Sequence, residues 1–399
     1  MRPGVGLVCR ERMSPFELPA IGSQNERGSG VESASDRRPT ASPALPEPAL
    51  REPALPMTAA PLHALGSVGT TARIGAAAAQ RLVEVMNAVG PDLALVERIL
   101  EETCATGAAP GTDAAAHLMG AGGKRIRPVA LLLAASIYEK PRHETHELAA
   151  VAELVHGATL LHDDVIDDAL ERRGQSAART VWGNAVSVLG GDLMLTHALA
   201  RCHEVGHSAV FSHLLRTLRT LVEGEIVQLR SRTVLDLSEE TYFHIANAKT
   251  ASLFDWATTS GARIAGAPEA DALALGRFGV NLGLAFQLVD DVLDYAGTSE
   301  VTGKALYTDL REGKVTLPLV YALERDASIA DHVKAIRAGD ELSALRLGPA
   351  IRQTDACERV KALAEACTSR ALTELAPLPR SPSRDLLAAV ARDLVARVG

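Results

Sequence analysis

From about residue 77 to the C-terminus, apolar residues recur every three or four positions, the period of amphipathic helices. Leu93, Val96, Ile99 and Leu100 form one stripe, and the Gly90-Pro91 break before it predicts a helix that begins at Pro91. A second long helix is predicted from about Glu144 to Asp168, with Leu148, Val151, Val155, Ala158 and His162 along one side. A third spans roughly Ala272 to Tyr295, and Gly276, Gly279 and Gly283 recur along it, predicting either close backbone approach or open space. The longest apolar run, Val129 to Tyr138, has the length of a core helix. Convincing strand-type alternation is absent, so the fold class is all-α, a helical bundle.

Residues 1–75 follow another pattern. Ten of the twenty prolines fall before residue 62, among Ser, Arg, Glu and Ala, with no sustained apolar period. Such a segment buries too little surface to offset its ordering entropy, which predicts a disordered tail or an extension upstream of a start at Met57. A targeting peptide is the alternative, against which Glu11, Glu17 and Glu26 count.

Composition sharpens the picture. Apolar residues make up 47% of the chain but aromatics only 3%, so the core is built from Ala, Leu and Val. A formal charge of −8 argues against a nucleic-acid partner. The cysteines Cys9, Cys104, Cys202, Cys357 and Cys367 are scattered without CxxC spacing, as in a reduced, soluble cytoplasmic protein. No uninterrupted apolar stretch approaches the ~18 residues of a membrane span.

One internal echo carries chemistry. Leu161-His162-Asp163-Asp164-Val165-Ile166-Asp167 is matched by Leu288-Val289-Asp290-Asp291-Val292-Leu293-Asp294. On a helix, Asp163 stacks on Asp167 and Asp290 on Asp294, with Asp164 and Asp291 flanking and Asp168 adding a further carboxylate to the first cluster. Residues 159–162 offer no nearby cation to offset that repulsion. The natural compensation is a hard cation such as Mg²⁺, which takes oxygen ligands and bridges carboxylates to phosphates. The plainer alternative for a single cluster is a solvated acidic helix face.

Basic residues gather in short turns: Gly122-Gly123-Lys124-Arg125-Ile126-Arg127-Pro128, Arg172-Arg173-Gly174, Lys249-Thr250-Ala251, Gly303-Lys304 and Gly313-Lys314. Arg grips phosphate by bidentate hydrogen bonds and Lys as a point charge. Each alone reads as surface; with two acidic ladders they point to diphosphates held at two positions, one through metal and one through cations.

Together with Phe286-Gln287 before the second ladder and Asp309-Leu310 after Gly303-Lys304, these motifs resemble the trans-isoprenyl diphosphate synthases in identity and order. The resemblance covers about residues 80–399 and implies one catalytic domain over 76–399, a large bundle around a central cavity. It further implies Mg²⁺, three per active site, held by Asp163, Asp164, Asp167, Asp290, Asp291 and Asp294. Arg172, Lys249 and Lys304 would stabilise the departing diphosphate of an allylic primer. Isopentenyl diphosphate would lie against Lys124, Arg127, His156 and Arg173, with Thr250, Gln287 and Lys314 also binding substrate. Gln228 and Glu225 match a polar stretch of the family near the site, and Ala305-Leu306-Tyr307-Thr308 departs from it where Gly or Asn is expected, which bears on Lys304.

The positions before Asp163 bear on product length. Thr159, Ala158 and Val155 are small and non-aromatic, where short-chain members resemble each other in carrying bulky rings. The resemblance then implies a product of eight to ten isoprene units (C40–C50), as for a ubiquinone side chain, made by a homodimer touching a membrane only to release product. A geranylgeranyl-type synthase is the shorter alternative. A class I terpene cyclase would need an aromatic pocket, and a non-catalytic relative would be expected to lose aspartates. A di-iron bundle is suggested by Glu153-x-x-His156 and Glu204-x-x-His207, but it leaves the basic turns unexplained.

Overall fold

The computed structural model describes residues 76–234, 238–296, 314–337 and 340–396; the expectations for residues 1–75 and for Lys304 lie outside them. The first helix, α1 (Ala76–Cys104), corrects the predicted start, because it runs straight through Pro91. Val85, Val89, Leu93, Val96 and Leu100 are buried at spacings of three and four along its whole length, while Pro91 is exposed. Burying each such side chain contributes about 1.5–3 kcal/mol. Water can meet the carbonyl that Pro91 leaves without a donor, so the stripe outweighs the proline.

Next come α2 (Gly111–Gly120), α3 (Ile126–Ala135) and α4 (His143–Ile166). Helix α4 is the central element: every residue from Leu148 to Val155 is buried, as expected of a helix covered on all sides. It packs on α1, α3, α6 (Asn184–Glu204) and α9 (Ser252–Ile264), with α5 (Ala178–Trp182) at its end. Helix α7 (Ser208–Val234) follows, then α8 (Glu239–Ala246), and a π-helical turn (Asn247–Ala251) leads into α9.

The third predicted helix is α10 (Glu269–Ala296). Its glycines serve close approach, not open space. A Cβ on Gly279 would lie 2.5 Å from the Phe254 carbonyl oxygen, and one on Gly283 would lie 2.6 Å from Cα of Ala251. Glu269–Tyr295 is long and apolar enough to cross a bilayer, with a mean hydropathy of 1.4, yet most of it is buried inside the bundle, as in a core helix. The C-terminal elements α11 (Leu317–Arg325), α12 (Ile329–Arg337), α13 (Glu341–Gln353), α14 (Ala356–Leu375) and α15 (Pro382–Ala396) close around α10, chiefly through α14.

The end of α4 positions the first acidic ladder. Asp168 adopts the left-handed conformation (φ 53) and the Ala169 N–H bonds back to the Asp164 carbonyl at 2.9 Å, a helix stop that Asp tolerates better than most residues. The chain then turns over in the sole β-pairing among the described residues, β1 (Glu171–Arg172) against β2 (Gln175–Ser176). Its two central residues, Arg173 (φ 55) and Gly174 (φ 75), both have positive φ, as a type I′ hairpin turn requires.

Candidate active site

The hairpin brings Arg172 back onto the helix it has just left. Arg172 Nε and Nη2 lie 2.7 and 2.6 Å from Asp164 Oδ1, and the Asp164 side chain is wholly buried. Asp163 faces Lys249 Nζ at 3.7 Å, and Lys249 also pairs with Glu225. Burial raises the Asp163 carboxyl to about 6; Lys249 opposes the shift, while Glu225 and Asp167 add to it. Asp167 sits between Arg232 at 2.7 Å and Lys314 at 3.0 Å. Burial pushes it upward too, but those two cations win and hold it below the usual carboxylate range. The cations missing from the neighbouring turn of sequence thus arrive from four distant segments. Asp168 does not join the ladder: it is exposed and pairs with Arg179 at 2.8 Å.

The π-helical turn joins the two ladders. While Lys249 reaches Asp163, its neighbour Thr250 donates to Gln287 Oε1 at 2.9 Å, and Gln287 Nε2 donates to Asp291 Oδ1 at 2.8 Å. The Leu317 N–H at the start of α11 also points at Asp291, 3.4 Å from Oδ2. Asp291 and Asp294 are buried, and Asp290 is half-exposed with Lys124 Nζ 3.9 Å from its Oδ1. One extra residue per turn in such a bulge re-aims side chains that a regular helix would point elsewhere, and these bulges favour functional sites.

The basic turn forms another wall. Lys124 lies 5.3 Å above the Phe286 ring and the Arg127 guanidinium 4.9 Å from the Phe254 ring, with those rings 6.1 Å apart. Burial lowers Arg127 to about 10, with Glu153 opposing and Arg173 reinforcing the fall. His156 is pushed well below its ordinary value, first by burial and then by Arg127, so it is neutral at pH 7. Arg173 donates to the carbonyls of Gly122 and Leu118, tying the hairpin to the end of α2.

The sequence-predicted residues therefore gather as three connected groups. Asp163, Asp164 and Asp167 meet Arg172, Lys249 and Lys314; Asp290 meets Lys124, and Asp291 meets Gln287 and through it Thr250, with Asp294 buried one turn on from Asp290; and Arg127, Arg173 and His156 share the field of Glu153. Of the three positions tied to product length, Thr159 is half-buried on the same helix face as His156 and Asp163, whereas Val155 and Ala158 are fully buried. The Ala158 carbonyl lies 3.1 Å from where a Cβ on Gly191 of α6 would stand. Sequence reasoning missed Arg232, although it follows Glu225 and Gln228 by seven and four residues on one helix face, a legible stripe. It also passed over Arg125, which Glu97 and Glu153 grip. That grip disposes of the di-iron pattern: Glu153 is committed to Arg125, and Glu204 ends α6 while His207 lies beyond a left-handed Gly206 (φ 76).

The donor set suits a hard divalent ion. Carboxylates stack at i and i+4 on two helices, and Arg127 Nε, Gln228 Nε2 and Arg232 Nη2 are buried donors with no protein partner that an anion could satisfy. Among the described residues no three Asp, Glu, His or Cys side chains converge into a metal site complete in itself. Ions bound here would share their coordination with a phosphorylated ligand, the usual habit of Mg²⁺.

The chain is similar to known proteins in sequence and in fold. The family model for polyprenyl synthetase matches residues 111–344. Heptaprenyl diphosphate synthase component 2 of Geobacillus stearothermophilus is 38% identical over 322 residues, spanning 80% of this chain and 98% of that protein. Octaprenyl diphosphate synthase of Escherichia coli is 37% identical over 288 residues, 70% of this chain and 88% of that one. The crystal structure of a polyprenyl synthase from Caulobacter crescentus, complexed with calcium and isoprenyl diphosphate, superposes with a TM-score of 0.75 at 37% identity, covering 79% of this chain and 98% of that one.

Proposed function

The chain belongs to the polyprenyl synthetase family, and from that premise we propose that it adds isopentenyl diphosphate units one after another to an allylic diphosphate, giving a long polyprenyl diphosphate. The observation that carries this reading is the pair of acidic ladders linked through Lys249-Thr250 and faced by the cationic turn around Lys124 and Arg127. Asp163, Asp164, Asp167, Asp290, Asp291 and Asp294 would hold divalent ions, Mg²⁺ by their all-oxygen chemistry, which would supply positive charge to the leaving diphosphate. The calcium named with the Caulobacter structure supports a divalent requirement.

This chain's own residues do the rest. Arg172, Lys249, Lys304 and Lys314 neutralise the oxygens of the allylic diphosphate as its C–O bond breaks heterolytically, and each ~1.4 kcal/mol of such stabilisation is worth tenfold in rate. Lys124, Arg127 and Arg173 hold the diphosphate of isopentenyl diphosphate without metal, so its own C–O bond stays intact. Neutral His156 adds a hydrogen bond. The isopentenyl double bond attacks the allylic carbon, and the proton then lost passes to the departing diphosphate. Thr159, on the helix face that carries His156 and Asp163, borders the space for the growing chain.

The names of the relatives, heptaprenyl and octaprenyl diphosphate synthase, support a product in that range, of the length a quinone side chain needs. We also assign a homodimer, for which the apolar outer face of α6 and α7 is the supporting feature. The deciding experiment incubates the purified chain with Mg²⁺, labelled isopentenyl diphosphate and primers of several lengths, then sizes the products. Long polyprenyl products lost on EDTA treatment and in Asp163→Ala and Asp290→Ala are expected. Cyclised hydrocarbon, or consumption of primer without isopentenyl diphosphate, would overturn the reading.

A further inference from the structure

Arg125 sits in the middle of the basic turn, and its side chain is buried among carboxylates. It is 3% exposed and spreads its guanidinium over four acceptors: Nε to Glu97 Oε1 at 2.7 Å, Nη2 to Glu97 Oε2 at 3.1 Å, Nη1 to Glu153 Oε1 at 2.7 Å, and Nη2 to the Met119 carbonyl at 3.4 Å. Glu97 comes from α1, Glu153 from α4 and Met119 from the last turn of α2; one side chain thereby ties the turn to three helices. Its backbone is left-handed (φ 47, ψ 28), a conformation an arginine seldom adopts unless its surroundings hold it there.

The glycines before it have separate reasons. Gly122 has φ 79, which favours a residue without Cβ. Gly123 needs the space: a Cβ there would lie 3.0 Å from Arg125 Nη1 and 3.1 Å from Arg173 Nη2. Two guanidinium groups therefore pass the same backbone atom side by side, with Glu153 as their shared counter-charge. Lys124 and Arg127, one residue before and two after Arg125, lie over the Phe286 and Phe254 rings.

We propose that Arg125, clamped by Glu97 and Glu153, is a positioning residue for isopentenyl diphosphate, fixing the left-handed turn that sets the spacing of Lys124 and Arg127. The inference rests on the reading of that turn as the metal-free diphosphate site. Arg125 is neutralised by its own carboxylates, so it adds no charge to the ligand. The net positive field left for a diphosphate comes from Lys124, Arg127 and Arg173. A salt-bridged arginine facing inward is ordinarily read as a stabiliser of the fold alone, so the test separates the two roles.

Arg125→Lys keeps the charge and removes the planar fork; Glu97→Gln keeps the shape and removes the charge. In the full-length enzyme with Mg²⁺, each variant is expected to raise KM for isopentenyl diphosphate about tenfold or more, the scale of misplacing a bound group by a fraction of an ångström to 1 Å. KM for the allylic primer should stay within about threefold of the parent value. Direct binding of isopentenyl diphosphate by calorimetry in EDTA should weaken by the same factor as its KM. Lys124→Ala, measured alongside, tests the underlying reading: if it leaves KM for isopentenyl diphosphate unchanged, the turn is not the diphosphate site. If Lys124→Ala raises that KM while folded Arg125→Lys or Glu97→Gln does not, the positioning role fails alone. Both KM values rising together with a lowered thermal midpoint would likewise overturn it in favour of a purely structural role. Should Arg125→Lys not fold, Glu97→Gln decides.

Discussion

Two arginines in left-handed backbone, Arg125 and Arg173, meet beside Gly123, and around them the burial of charge decides what each residue does. Burial alone would raise Glu153, yet Arg125, His156 and Arg173 pull it down to about 2. Removing the cation while leaving the carboxylates is then costly: Arg125→Met should lower stability by about 3–5 kcal/mol in chemical denaturation, because Glu97 and Glu153 stay buried and unpaired. His156 has a signed pH signature. Its folded value lies well below 6.5, so the unfolded chain takes up the proton first. Its contribution is complete above pH 6.5 and is lost as the pH falls from there towards the folded value, with a slope of at most about 1.4 kcal/mol per pH unit. His156→Gln should therefore lose less stability than the parent between pH 7.5 and 5.5, and equal losses would count against a buried neutral imidazole. Thr159 and Ala158 diverge in the same spirit. Thr159→Phe, on the open face of α4, should shorten the product seen by chromatography. Ala158→Phe overpacks a position that is already buried and should cost about 1–3 kcal/mol of stability.

At the level of elements, α9, the π-helical turn and α10 act as one unit whose contact distance sets the site. The glycines of α10 let it lie against Phe254 and Ala251, and the same turn carries Lys249 to one ladder and Thr250 to the other. Gly283→Ala drives a methyl into Ala251 and should cost about 1–3 kcal/mol while reducing activity more than its effect on folding explains. Gly120→Ala is the control, since nothing lies within 4 Å of its Cβ and little change is expected. The helices themselves were legible, because burial of α10 follows a period that the letters display and α4 is apolar but for Glu153 along the stretch that is covered on all sides. Both ladders were legible too, since i and i+4 spacing is a local property. What the letters hid were features made by tertiary contact. Helix α1 continues through Pro91 because its stripe is buried on both sides of the proline. Asp168 leaves the ladder because the helix ends at Ile166, two residues before it, and Asp168 itself takes the left-handed conformation and pairs with Arg179. Whether the α10 glycines meant packing or space depended on which face of α9, only four residues upstream, lay opposite them, and that the letters do not display.

Across the whole molecule, α7 has two faces with different work. Glu225, Gln228 and Arg232 turn inward to Lys249 and Asp167, while Leu215, Val222, Ile226 and Leu229 are 47–61% exposed on the outside. Leu189 of α6 is 63% exposed, and Val188 beside it 37%. Apolar side chains recurring on one face of adjacent helices, rather than scattered singly, mark a contact surface, and a second copy of this chain is the occupant assigned above. The consequence reaches the chemistry, because the helix that would be held by the partner is the one that supports Lys249 and Asp167. Val222→Asp with Ile226→Asp should give a monomer by light scattering, with its circular dichroism retained. Charges on that face leave the basic turn before α3 untouched, so KM for isopentenyl diphosphate should change less than KM for the allylic primer, whose diphosphate the proposed function assigns to the α7 side. A variant that becomes monomeric with both constants intact would separate assembly from catalysis. One that stays dimeric would place the contact elsewhere on the surface.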